Sequence, residues 1–327
     1  MLNVAYLGIT SRCNFSCKHC YLLPNQKNLD IPYEKAKALL QELYDVGVLK
    51  IIYTHGEVFL HKNWKDILLE AHEMGFAQNV LTNGYLLDKE KSIALEKAKI
   101  QKFFLSLDSS NPQIHSQNRN NPKAWDGLKR GVKLLQEYTT AKIGLNVVLS
   151  PWVEDELLEM LDIAEDWGVD ELNFLPYHAK ENDKKAYKAQ TLSEKLINLI
   201  KYSKDKKCLI SLHDPYLSSL LRLKGHILGR DVCGAGKDYI SIHADGDVFP
   251  CNFLPILLGN IFTDSIQQIA TKAENFRKIA ELSLQSACRQ CPIYSTCQGG
   301  CMAFAFKNKK ITHDINCTQN KGVIDDK

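Results

Sequence analysis

Residues 12–21 read Arg12-Cys13-Asn14-Phe15-Ser16-Cys17-Lys18-His19-Cys20-Tyr21, a C-x3-C-x2-C run near the start of the chain. The spacing supplies three thiolates, whereas a cubane iron–sulfur cluster has four irons to ligate. One iron is left without a protein ligand and is free to bind a small molecule. Such a cluster is a reaction centre rather than a sealed electron carrier. Structural zinc is the alternative for three close cysteines, but it takes four closed ligands and usually builds on C-x2-C pairs. Spacing and context therefore favour the cluster.

The chain around this run has 327 residues, 45% of them hydrophobic and 24% charged, with a net charge of +3. It is long enough to bury a full core, as one large domain or a large and a small one. The slight positive balance leaves no nucleic-acid footprint. The lysine runs over 180–188 and 201–207 are interrupted by acidic residues or tyrosines, and read as solvated faces. Met1–Thr10 lacks the basic start and cleavage site of a signal peptide, and no apolar run approaches a membrane span. Eleven cysteines without a secretory signal point to metal chemistry rather than disulfides, because cytoplasmic thiols stay reduced. The expected location is the cytoplasm, with no membrane partner.

The first two thirds alternate strand-like apolar runs with amphipathic helical ones. Val4–Thr10, Leu49–Thr54, Ala77–Thr82, Lys102–Asp108, Ile143–Ser150 and Glu171–Pro176 read as strands. Pro32–Val46 reads as a helix, with Ala36, Leu39, Leu40 and Leu43 on one face. Pro151–Trp167 reads as another, capped by Ser150, ended by Gly168, and striped by Leu157, Leu161 and Ala164. Six βα units in a row imply a parallel sheet, and two units too few for a closed eight-fold barrel imply a partial one. The pattern changes near residue 205. Seven cysteines then crowd between Cys233 and Cys317, and little helical periodicity survives beyond Ile266–Leu284. A boundary near residue 225 divides the chain into modules 1–224 and 225–327. Cys208, in the strand-like Cys208–Leu212, reads as a buried thiol.

With an aromatic residue after its last cysteine, the triad resembles the signature of the radical S-adenosylmethionine (SAM) superfamily. The resemblance implies a (β/α)6 partial barrel and a 4Fe-4S cluster on Cys13, Cys17 and Cys20. SAM would chelate the open iron and be cleaved to methionine and a 5′-deoxyadenosyl radical. It also assigns SAM contacts. Thr54-His55-Gly56-Glu57-Val58 stands where the family has Gly-Gly-Glu-Pro, so Gly56 and Glu57 would meet the methionyl ammonium, although His55 and Val58 depart from the pattern. A glycine lets backbone approach a ligand, and a carboxylate suits an ammonium. His55 reads either as an acid or base in the site or as a hydrogen-bonded structural histidine. Asn83 and Ser106 match strand-end positions facing SAM, where βα loops converge. His19 counts with the SAM contacts. Arg119 matches the family position that holds the SAM carboxylate, a bidentate task suited to guanidinium.

The C-terminal cysteines resemble the SPASM domain, an auxiliary iron–sulfur module. By that resemblance Cys288, Cys291, Cys297 and Cys317 close one auxiliary cluster. Cys233, Cys251 and Cys301 hold a second, with an eighth ligand open among Cys208, His226, Asp231, water and substrate. A zinc ribbon would strand three of the seven thiols.

The function implied is a radical SAM oxidoreductase or maturase that abstracts hydrogen from an unactivated C–H bond, in maturation of a ribosomally made peptide or protein. The expected electron donor is flavodoxin or ferredoxin. The chain begins directly at the first barrel strand, so a separate recognition protein, a short unaided peptide or a small-molecule substrate would fit. Anaerobic sulfatase maturases carry an aspartate where this chain has Asn252. Cys251-Asn252-Phe253-Leu254-Pro255 with Gly259-Asn260-Ile261 also looks like tetrapyrrole-modifying relatives, which makes side-chain modification in the haem pathway the alternative. A non-catalytic iron–sulfur electron carrier is more distant, because a carrier needs four ligands per cluster and no SAM pocket.

Overall fold

The computed structural model describes residues 2–22, 28–178, 189–229, 232–284, 286–307, 310–311 and 314–317. Its elements alternate as the sequence requires: β1 (Val4–Leu7), α1 (Tyr33–Asp45), β2 (Lys50–Tyr53), α2 (Trp64–Glu73), β3 (Ala77–Thr82), α3 (Lys89–Lys97), β4 (Lys102–Ser106), α4 (Pro112–Asn118) and α5 (Ala124–Tyr138). They continue as β5 (Lys142–Leu149), α6 (Leu157–Asp166), β6 (Glu171–Pro176), α7 (Ala189–Tyr202), β7 (Leu209–Leu212), α8 (Pro215–Leu223), β8 (Tyr239–Ile242), β9 (Asp247–Phe249), β10 (Gly259–Asn260) and α9 (Ile266–Ser283). Short helices follow at Ser286–Arg289, Tyr294–Cys297 and Met302–Ala305. Among the described residues no helix is long and apolar enough to cross a membrane.

The chain forms two compact bodies, interleaved in sequence. The first comprises Met1–Leu145 and Ala235–Phe276, the second Asn146–Gly234 and Arg277–Lys327. In the first, β1 to β4 pair in chain order and in parallel. On the other flank of β1 lies β8, also parallel, extended by antiparallel β9 and β10. That pairing was not legible from local pattern, since Tyr239–Ile242 is four residues long and reads as part of the cysteine-rich tail. In the second body β6 pairs in parallel with β7. The boundary at residue 225 falls inside the second body. It divides sequence modules, whereas the two bodies are defined by packing.

All six expected strands form. β1 and β4 stop earlier than their apolar runs, at Leu7 and Ser106, which frees Gly8–Thr10 and Leu107–Asp108 to serve as loop. The helix expected over Pro151–Trp167 begins only at Leu157. Ser150 does not cap it. Instead two turns, Val153 N–H to Ser150 O and Glu156 N–H to Val153 O (both 2.9 Å), bury Val153 completely first. The stripe of Leu157, Leu161 and Ala164 is buried as core. In α1 the expected face Ala36, Leu39, Leu40 and Leu43 is wholly buried, each leucine contributing about 2 kcal/mol of transfer free energy. Cys208 is 3% exposed and its thiol donates to Leu209 O, as befits a core thiol. The lysine run at 180–188 and Asp231 lie outside the described residues.

Candidate functional site

The loop after β1 carries the triad. Phe15 and Cys17 form a buried cluster with Ala124 at the start of α5, and Cys13, Cys20 and Tyr85 pack against it. Three soft sulfur donors thus share one apolar setting, a donor set that suits an iron–sulfur cluster. Among the described residues no three His, Cys, Asp or Glu side chains close on a single metal-ion position. The loop is pinned from the far side: Lys18 N–H donates to Asn118 O (2.9 Å) and the Asn120 amide to Ser16 Oγ (2.8 Å). Burial pushes the Cys13 thiol up to about 12 and raises Cys17, although Arg119 opposes the latter. A bound cluster would reverse this, because a coordinating thiol is deprotonated outright.

The turn after β2 presses onto this loop. Gly56 has φ +47°, and a Cβ there would lie 2.4 Å from Arg12 O and 2.7 Å from Thr10 O. Glu57 N–H donates to the same Arg12 O (2.7 Å). The glycine is therefore required twice, by conformation and by space. Gly56→Ala should destabilise the fold by at least about 1–3 kcal/mol, the cost of a strained backbone residue alone. Urea unfolding of the variant against wild type measures it, and an unchanged midpoint would remove the packing argument.

Glu57 is 1% exposed; its carboxylate accepts from Thr82 Oγ (2.7 Å) and Asn83 N–H (2.9 Å). Burial outweighs those bonds and lifts its pKa to about 7. The unfolded carboxylate titrates near 4.3, so the folded state holds the extra proton between the two values. Stability linked to Glu57 is fully present below pH ~4.3 and is lost as pH rises through 7. Glu57→Gln should flatten the fall in stability between pH 5 and 8, measured by denaturant melts across that range. A cation beside Glu57, such as the ammonium the resemblance implies, would offset the same desolvation.

The other expected contacts sit around this turn. Asn83 donates through Nδ2 to Asn14 Oδ1 (2.9 Å) inside the triad loop, and its Oδ1 accepts from Tyr85 N–H (3.0 Å). Ser106 is half-buried at the end of β4. Arg119, at the C-terminal end of α4, is buried and engaged. Its Nε and Nη2 each lie 2.6 Å from an Asp108 oxygen, while Nη1 lies 3.7 Å from Cys17 Sγ. His19 Nε2 is 3.7 Å from Asp108 Oδ1, and His115 Nδ1 accepts from Asp108 N–H (3.2 Å). Burial alone would raise Asp108, but Arg119 holds it below the usual carboxylate range. Sequence reasoning passed over Asp108 as a strand end. Its signal was an acid two residues beyond Ser106 with an arginine soon after.

His55 takes the left-handed conformation, φ +63°, where the family pattern has glycine. It is 6% exposed and fits because Gly8 has no side chain: a Cβ there would meet His55 Nδ1 at 2.5 Å. Its Nε2 lies 3.1 Å from Asn252 Oδ1, which also accepts from Ser241 Oγ. Burial lowers its pKa to about 3, so the ring stays neutral. His55, Tyr21, His243, Phe249, Asn252 and Phe253 line a cavity of about 350 Å³ in the first body. Tyr21 meets His55 and Phe253 edge-on or tilted, at 5.8 and 5.0 Å between ring centroids.

The second body has its own cysteine pocket. Cys288, Cys291, Cys297 and Cys317 line one small cavity with Tyr216, Tyr294 and Asp314. Asp314, missed from sequence, ties the strands of this pocket together. Its Oδ2 accepts from Cys301 N–H and its Oδ1 from Asn316 N–H (both 2.9 Å), while its own carbonyl accepts from Cys317 N–H (3.0 Å). Burial, with Asp214 nearby, raises Asp314 to about 7. Cys233 and Cys301 belong to this body, and Arg277 Nη1 donates to Cys233 O (2.8 Å). Cys251 belongs to the first body, so its grouping with those two rests on the resemblance. His226 is half-buried.

Fold and side chains together define an α/β protein of parallel strands and helices, with a cysteine triad in one body and a cysteine-lined pocket in the other. Residues 7–175 match the Radical SAM superfamily and residues 233–292 the SPASM iron–sulfur cluster-binding domain. The chain belongs to the radical SAM superfamily and carries a SPASM domain toward its C-terminus. It is similar to the AdoMet-dependent heme synthase of Methanosarcina barkeri, with 24% identity over 323 residues, covering 91% of this chain and 90% of that one. It is also similar to the antilisterial bacteriocin subtilosin biosynthesis protein AlbA of Bacillus subtilis. There the identity is 31% over 280 residues, covering 81% of this chain and 58% of AlbA. Among solved structures, Streptococcus suis SuiB bound to S-adenosylmethionine shares the fold, with a TM-score of 0.81 and 19% identity over 97% of this chain and 77% of that one.

Proposed function

We propose that this chain is a SAM-cleaving oxidoreductase that matures a ribosomally made peptide or protein by hydrogen abstraction from an unactivated C–H bond. The observation that carries the reading is the convergence of Cys13, Cys17 and Cys20 beside the Gly56-Glu57 turn. Cys13, Cys17 and Cys20 would hold a 4Fe-4S cluster, which would supply the reducing electron for SAM cleavage and hence the 5′-deoxyadenosyl radical. The chain's own residues do the rest. Gly56 lets backbone reach the ligand, and Glu57 sets a carboxylate where an ammonium would sit. Asn83 ties that turn to Asn14, and Ser106 borders the same strand ends. Tyr21, Phe249 and Phe253 give a cavity in the same body aromatic walls, with neutral His55 and Asn252 as polar fixtures.

Cys288, Cys291, Cys297 and Cys317 are assigned to one auxiliary cluster; Cys233, Cys251 and Cys301 are assigned to a second. A flavodoxin or ferredoxin is the proposed donor, in the cytoplasm, with a separate peptide-recognition protein as a possible third component. The similarity to AlbA over most of this chain favours a peptide substrate. Similarity to the Methanosarcina barkeri heme synthase over nearly the full length of both proteins favours the second reading, side-chain modification of a tetrapyrrole. Side-by-side turnover decides between them. Reconstituted enzyme, SAM and dithionite are incubated with a ribosomally made precursor peptide, or with an iron porphyrin bearing carboxylate side chains, and product mass is read. A changed porphyrin and an unchanged peptide would overturn the first reading.

A further inference from the structure

Glycine would cost nothing at position 55, yet the chain holds a histidine there at φ +63°. A side chain kept in the left-handed region against that cost points to a task for the side chain itself. His55 is 6% exposed, and its Nε2 lies 3.1 Å from Asn252 Oδ1 and 3.3 Å from Ser241 Oγ. The Ser241 hydroxyl donates to the same Asn252 oxygen. An amide oxygen only accepts, so Nε2 carries the proton of the neutral ring and the oxygen takes two donors. Both of its lone pairs are then used, which fixes the amide plane. The Asn252 NH2 group keeps two donor hydrogens and, among the described residues, has no protein partner.

Asn252 lines the cavity of about 350 Å³ beside Tyr21, Phe249 and Phe253, a volume within the range of small-ligand pockets. Tyr21 and Phe253 are each more than a third exposed, so the aromatic wall is open rather than sealed. Asp245 is the one charged side chain among the described lining residues, and burial keeps His55 and His243 neutral. A carboxylate entering here would lose its hydration with no cation to receive it. A neutral carbonyl oxygen has only to accept from the Asn252 NH2.

We propose that Asn252 donates its amide NH2 to a neutral carbonyl oxygen of an apolar or aromatic residue of a peptide substrate held in this cavity, with His55 and Ser241 as the positioning residues that lock it. The inference deepens the peptide reading and rests on it, because a tetrapyrrole would bring carboxylates. His55 directly precedes Gly56 and Tyr21 directly follows Cys20, so two walls of the cavity continue segments assigned to SAM and to the cluster.

The test uses the full reconstituted chain and three probes that share a phenyl ring: N-acetyl-phenylalanine amide, 3-phenylpropionate and phenethylamine. Calorimetric titration should rank the amide first in wild type. Asn252→Asp keeps the shape and both accepted hydrogen bonds but presents an anionic oxygen in place of the NH2. It should bind the amide at least about fivefold more weakly, the loss of one neutral hydrogen bond, and rank phenethylamine first. His55→Gly and Ser241→Ala should each narrow the preference for the amide over phenethylamine, because a freed Asn252 can turn its oxygen inward. Wild type that ranks another probe first, or binds none at millimolar concentration, overturns the proposal. So does an Asn252→Asp variant with the wild-type ranking. His55→Gly and Ser241→Ala variants that weaken every probe alike, or none, overturn the positioning roles. SAM cleavage and peptide turnover are read on the same samples. Wild type that matures a peptide but fails the ranking sinks this inference alone, and an intact ranking in a chain that matures no peptide overturns the proposed function instead.

Discussion

Alanine at Cys13, Cys17 and Cys20 together should abolish formation of 5′-deoxyadenosine from SAM, down to the background of buffer with dithionite. The expectation follows from ligand arithmetic: this triad offers three thiolates at the C-x3-C-x2-C spacing, which leaves one iron of a cubane open to SAM. The structure adds that the three side chains pack in and against one apolar cluster. Removing all three avoids rescue by a neighbouring thiol. Folding should survive, because Cys13 and Cys20 are only partly buried and the loop is held by backbone and amide bonds from Asn118 and Asn120. The measurement is deoxyadenosine by chromatography, beside iron content and thermal melting of the same samples. Wild-type cleavage by the triple variant would sink the assignment.

Alanine at Cys291 and Cys297 should have the second largest effect, and a different one. Turnover of the natural substrate should fall to background while uncoupled SAM cleavage continues. These two cysteines line the pocket shared with Cys288 and Cys317 in the second body, whereas Gly56, Glu57, Asn83 and Ser106 all belong to the first. The two substitutions therefore change none of the residues assigned to SAM. Binding of metal to such a site is part of its folding energy, so the variants need a folding control. Retained SAM binding beside the thermal melt of the same samples provides one. Product yield and deoxyadenosine release are then read together. Full product without the pocket's iron would reduce the auxiliary site to a structural role.

Much of this was written locally. The triad declares itself by spacing, because ligand geometry fixes how many residues lie between neighbouring thiols. The six strands were legible because each is a short apolar run bounded by turn residues, and the α1 face by its helical period. Gly56 reads from the sequence as a glycine that lets backbone approach a ligand; the structure shows a different close approach, to Arg12 O and Thr10 O of the chain itself. Where local rules competed with burial, they lost. Ser150 and Pro151 offered a helix start, yet the chain first turned to bury Val153 and began α6 at Leu157.

What the sequence by itself determined about this protein is its cysteine spacing and its βα order, since both are properties of position along the chain. Only the tertiary structure decided which side chains meet across distance. It put β8 against β1, more than two hundred residues apart, because a strand edge is satisfied by whatever backbone reaches it. It let His55 occupy a glycine-like conformation by leaving Gly8 opposite it, and it gathered Cys288, Cys291, Cys297 and Cys317 around Asp314. It also turned Arg119 toward Asp108 and Cys17. A buried guanidinium must find its counter-charge within the fold, and no pattern along the chain states which carboxylate that will be.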